Sequence, residues 1–141
     1  MKKLLLILGM LFIATGLFSQ ERQGENYYQE EFAKAIDGIT EVILPDRTRV
    51  DIMTDTFAIE VDFAQKWAES GFQALHYARH TNRKAGILLI WESQEDERYL
   101  KRLLGVIHEN NLSITVWVWN WTNDTWSKVE YFFECEMKLK Y

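Results

Sequence analysis

The chain has 141 residues, with 21 acidic side chains against 16 Lys and Arg and a formal charge of -5, a balance that counts against broad electrostatic attraction to a polyanion. Its single cysteine, Cys135, excludes an internal disulfide, so the core alone must hold the fold. One proline, Pro45, and the lack of any repeat or low-complexity tract leave a single domain as the expectation for this length.

Met1, Lys2 and Lys3 precede an apolar run over residues 4–18, which gives way at once to Gln20, Glu21, Arg22 and Gln23. A basic start, an apolar stretch shorter than the roughly 20 residues of a membrane span, and small residues near the exit describe a secretory signal. The expectation is a signal peptide over residues 1–20 and one exported domain over 21–141, periplasmic or secreted, without stable membrane insertion. An uncleaved anchor is the alternative. No cysteine lies near the cleavage region, which argues against a lipid anchor.

Tyr28, Phe32, Ala35 and Ile36 recur at helical spacing, and Asp37 with Gly38 closes that first helix. Residues 41–44, 48–53 and 57–61 read as three strands, with Pro45-Asp46 and Asp55 at the turns. Asp62 followed by Gln65 has capping-box spacing and predicts a helix from Asp62 to about His80. The almost wholly apolar residues 86–91 predict a strand covered on both faces, reached by a crossover that suits parallel pairing. Tyr99, Leu103, Leu104 and Ile107 mark another helix over 95–110, and residues 112–121 another strand. Alternation of Val129, Tyr131, Phe133, Cys135, Met137 and Leu139 with mainly charged residues predicts one last strand. The class is α/β, a mixed sheet with helices packed on it.

Chemistry concentrates in residues 49–78. Asp51 ends one strand and Glu60 lies near the end of the next, and two carboxylates on adjacent antiparallel strands can converge on one hard divalent cation, magnesium or manganese. Lys66, Gln73 and Tyr77 fall seven and four residues apart, which sets them on one stripe of the following helix.

In these residues the chain resembles the PD-(D/E)XK nuclease superfamily, over nearly the whole domain. The resemblance implies a restriction-endonuclease-like αβββαβ core, here with an extra helix and C-terminal strands. It puts Asp51 and Glu60 at the family's two acidic positions, and Gln73 with Tyr77, in QALHY, at the helix motif of the RecB-like branch. Asp62 stands where the family has its lysine, and Lys66 is assigned that role from the neighbouring helix, as in some members of the superfamily. The implied chemistry is phosphodiester hydrolysis, with nucleic acid as the substrate and Mg2+ or Mn2+ held by Asp51, Glu60 and the carbonyl of Val61. Either Glu30 or Glu31 of the first helix would complete the shell.

Two other readings compete. Asp62 in the lysine position and the acidic surface suit a catalytically inactive domain of the same fold, acting by binding. Trp117, Trp119 and Trp121, with Trp126 after a turn, would stack on sugars of a carbohydrate or the cell envelope if exposed, or form core against a helix if buried. His76 and His80 lie one turn apart, a metal-binding spacing without an evident third ligand.

Overall fold

The computed structural model describes residues 22–120, 122–131 and 137–139. The expected signal peptide, Trp121, Phe133 and Cys135 lie outside the described residues. Among those described, no helix is long and apolar enough to cross a membrane. The elements are α1 (Glu25–Ala35), β1 (Ile39–Ile43), β2 (Arg49–Met53), β3 (Phe57–Phe63), a short 3-10 turn (Ala64–Lys66), α2 (Trp67–Thr81), β4 (Lys84–Trp91), α3 (Glu97–Glu109), β5 (Ile114–Asn120), β6 (Thr125–Tyr131) and β7 (Met137–Leu139).

The strands lie side by side in chain order, six forming a mixed sheet and the short β7 continuing from β6. The pairs β1–β2, β2–β3 and β5–β6 are antiparallel, and β3–β4 and β4–β5 are parallel. Each parallel pair is joined by a helical crossover, and successive crossovers of one hand put α2 and α3 on the same face. Ala74, Leu100, Leu103 and Ile107 pack there on Ile87, Leu89, Val116 and Val118. On the other face α1 lays Tyr28, Phe32 and Ala33 over Ile59, Leu88, Ile90, Trp117 and Trp119. Strand β4 is therefore apolar on both sides, each of its buried Ile or Leu side chains contributing about 1.5–3 kcal/mol.

Helix α1 ends with Asp37, not Gly38, in the left-handed conformation, at φ 55°. Gly38 is small for a different reason: a Cβ there would lie 2.6 Å from Ile52 Cγ2, where the chain turns against β2. The β1–β2 hairpin closes through Leu44, whose carbonyl accepts Arg47 N at 2.9 Å, while Leu44 N donates to Thr48 O at 2.8 Å. Pro45 supplies the fixed φ of that turn and Arg47 takes φ 71° at its end, the arrangement of a type I turn with a following left-handed residue.

Two expectations are corrected. Asp62 does not cap a helix: β3 continues through it because parallel pairing with β4 extends to Asp62↔Leu89 and Phe63↔Ile90, and Gln65 instead donates to Glu92 at 3.2 Å. The single last strand is two: β6 and β7 pair antiparallel, with Val129 opposite Leu139 in the ladder.

Candidate functional site

Where β2 runs beside β3, only Ile52↔Ile59 and Met53↔Ala58 remain in register. Two residues past Ile59, the Val61 N–H that a strand carbonyl would ordinarily accept donates to Asp51 Oδ2 at 2.8 Å. A break in the ladder thus turns a backbone donor toward a carboxylate and holds Asp51 at the edge of β3. The carbonyl of Val61 belongs to the same edge, because N–H and C=O of one strand residue address the same neighbour.

Two further observations fix this place. Gln29 of α1, buried, donates to Asp51 O at 3.0 Å and to Glu41 Oε1 at 2.7 Å. Glu41 itself sits at φ 61° inside β1, a conformation that costs a non-glycine residue about 1–3 kcal/mol.

Glu60 and Asp62 are two residues apart on β3 and so face the same side, toward α2. Glu60 Oε1 accepts Gln73 Nε2 at 2.7 Å, while Oε2 is buried without a hydrogen-bond partner among the described residues. Asp62 Oδ1 meets Lys66 Nζ at 2.8 Å, an ion pair whose angles fall short of a directed hydrogen bond. Its Oδ2 lies 3.3 Å from Ser70 Oγ, which also donates to the carbonyl of Lys66 at 3.0 Å. Lys66 is drawn further inward by Glu25 Oε2 at 3.7 Å. Asp51, Glu60 and Asp62 are all buried.

These side chains line one open cleft of about 630 Å³, together with Arg47, Arg49 and Tyr77. Burial, then the charges of Asp51 and Asp62, push the Glu60 carboxyl up to about 9. Asp51 is raised by burial, against the lowering effect of the Val61 N–H. Glu25 is raised to about 7, by burial and then by Asp62. Lys66 holds its proton more tightly than usual, chiefly through Asp62, and burial followed by the Glu60 charge raises Tyr77. A cleft where burial and acidic neighbours raise Glu60 and Glu25 in this way is a site for a cation or a proton.

Asp51, Glu60, Lys66, Gln73 and Tyr77 thus share one cleft. Of the first-helix acids, Glu25 lines the cleft, whereas Glu30 is exposed and Glu31 pairs with Lys34 at 2.7 Å. Helix α1 begins three residues before Tyr28, the first of the apolar spacing, and Glu25 and Gln29, four residues apart, fall on one polar stripe of it. Trp117 and Trp119 are buried against α1, with Phe32 5.5 Å from Trp117 and Tyr28 5.6 Å from Trp119 between ring centres. Neither offers a free face to a sugar, which removes the carbohydrate reading for these two.

A second group lies at the β1–β2 turn. Asp46, His76 and His80 place one ligand atom each within 4.8 Å of the others and could hold a metal ion. His76 and His80 were visible from their spacing; Asp46, on a turn thirty residues upstream of His76, is brought in by the fold. Comparison with protein-family models, with curated proteins and with solved structures found no match.

Proposed function

We propose that the cleft is the site of a divalent-cation-dependent phosphodiester hydrolase of the PD-(D/E)XK type, acting on nucleic acid outside the cytoplasm. The observation that carries this reading is the buried, unpartnered Glu60 Oε2 beside Asp51. Ionising a carboxyl in so buried a place is costly, which is why Glu60 is raised to about 9, and a hard cation is the partner that would offset that cost without a donor hydrogen. The residues fit: Asp51, Glu60 and the Val61 carbonyl offer oxygens from two adjacent strands, with Glu25 and Asp62 behind them. A Mg2+ or Mn2+ ion there would lower the pKa of a bound water and offset phosphate charge.

The protein's own groups supply the rest. Gln73 orients Glu60 from α2, with Tyr77 lining the same cleft, and Lys66 stands ready to hold the attacking water or the developing charge once a cation competes for Asp62. Arg47 and Arg49 border the opening and suit a phosphate backbone. The export step rests on the basic and apolar start of the chain.

The second reading, an inactive binding domain of the same fold, is favoured by Asp62 in the lysine position and its ion pair with Lys66. Calorimetric titration with Mn2+ and a plasmid-nicking assay separate the two. Hydrolysis that Lys66→Ala abolishes while cation binding persists, and that Asp51→Ala loses together with binding, supports the enzyme, because an ammonium is not a metal ligand. Cation binding without nicking by the unaltered protein supports the second reading. Neither binding nor nicking refutes both.

A further inference from the structure

The geometry points to a separate zinc-class site at Asp46, His76 and His80, which clamps the β1–β2 turn to α2. His76 and His80 are one helical turn apart and their rings lie 4.4 Å apart between centres. Both present Nε2 to the same oxygen: Asp46 Oδ2 is 2.7 Å from His76 and 3.6 Å from His80. In a tetrahedral zinc site, with metal–nitrogen and metal–oxygen bonds near 2.0–2.2 Å, ligand atoms stand about 3.3 Å apart. Closing on an ion therefore takes shifts of well under a helical turn in side chains that are partly exposed.

The carboxylate is already oriented for this. Asp46 Oδ1 accepts Thr48 N at 3.0 Å and Thr48 Oγ1 at 2.6 Å, which leaves Oδ2 turned to the imidazoles. Such outer hydrogen bonds fix the direction of a first-shell ligand in metal sites generally. Two imidazoles and one carboxylate favour zinc, copper or nickel over magnesium. Three protein ligands at a surface leave a fourth position for water.

The consequence lies in the position. The turn that carries Asp46 also carries Arg47 and Thr48 and leads into Arg49, all on the wall of the carboxylate cleft. Residue Tyr77, on the other wall, follows His76 on α2. A metal bridging Asp46 to His76 and His80 would hold those walls at a fixed separation, whatever the cleft binds.

The test is zinc titration of the purified full chain by calorimetry, in the presence of saturating Mg2+, with Co2+ substituted for an optical readout. The expected result is one zinc per chain and a visible tetrahedral Co2+ spectrum. Thr48→Val should weaken zinc by about 10–100-fold, as loss of an outer partner does elsewhere, and His76→Ala or His80→Ala by at least that much. Asp51→Ala should leave zinc affinity unchanged, which separates this site from the carboxylate cleft. Zinc should also slow amide exchange over residues 44–48 in the wild type and not in the His76→Ala/His80→Ala double variant. No uptake at millimolar zinc, equal affinity in the double variant, or loss of zinc in Asp51→Ala would overturn the assignment. Uptake at the triad without protection of the turn would overturn the clamp.

Discussion

Replacing Glu60 with Gln keeps the shape of the side chain and removes its titration. In the folded protein the Glu60 carboxyl is raised to about 9, against an ordinary value of 4.5. Between those values the folded state keeps a proton that the unfolded chain releases, so its contribution is complete below 4.5 and is lost as pH rises toward 9. At about 1.4 kcal/mol per unit, the metal-free wild type loses about 3 kcal/mol of stability by pH 7 and about 6 by pH 9 through this group. The Gln variant loses none of it. Urea unfolding in EDTA should therefore show the two proteins about equal at pH 5 and the variant more stable by about 3 kcal/mol at pH 7, or roughly 10 °C in Tm for a domain of this size. Saturating Mg2+ or Mn2+ should close the gap, because a ligand at a hundredfold excess over its Kd adds about 2.7 kcal/mol to the state that binds it. A difference between wild type and variant that stays flat from pH 5 to 9 would refute the buried carboxyl pair. Equal stabilisation of both by the cation would refute its role as a ligand.

Gly86→Ala should cost about 1–3 kcal/mol, since a Cβ at that position would lie 2.8 Å from Ile59 Cγ1 and 3.0 Å from Trp117 Cζ3 in a core with no slack; a neutral result in urea unfolding would mean that β4 sits less tightly on α1. Trp117→Ala should cost about 3–5 kcal/mol, as for a large aromatic removed from a core, and would leave Phe32 and Phe57 without their shared partner. A loss below about 1 kcal/mol would mean that Trp117 is not core, and would reopen its use as a stacking surface.

The order of elements was legible because each carries its own period: Phe32 and Ile36 repeat as a helix does, while β4 after Lys84 has no polar side chain, for want of a wet face. Boundaries failed where two local rules compete. Asp62 followed by Gln65 has the spacing of a cap, but seven parallel register pairs with β4, from Phe57↔Lys84 to Phe63↔Ile90, outweigh one capping bond and keep Asp62 in the strand. The division of the last strand into β6 and β7 gave no signal because the alternation of Val129, Tyr131, Met137 and Leu139 continues unbroken through the sequence. In the cleft, Asp51, Glu60, Gln73 and Tyr77 were readable from spacing, since a strand pair and a helix face fix relative direction, whereas Lys66 reaches the cleft from the 3-10 turn before α2 and not from the helix face on which its spacing put it. Glu25 and Asp46 were not readable: one precedes the first apolar residue of its helix, and the other meets its histidines only through the packing of α2 on the hairpin.

The costs in this fold are concentrated in one place. In an unbroken antiparallel ladder Asp51 would stand directly opposite Glu60, continuing Ile52↔Ile59 and Met53↔Ala58, and like charges in that position destabilise a sheet. The ladder stops there instead, Asp51 takes the Val61 N–H, and on the far side Glu41 adopts a strained φ of 61°. Beyond it, β3, β4 and β5 pair in regular register for seven residues at each interface, with apolar cover above and below. Packing alone would favour the reverse, a regular hairpin with apolar side chains where the acids lie. A rigid parallel sheet that supports a broken edge carrying three buried carboxylates is the distribution expected of a scaffold bearing a site. The same argument separates Lys66 from an ordinary surface lysine, because its partner Asp62 is buried and belongs to that edge.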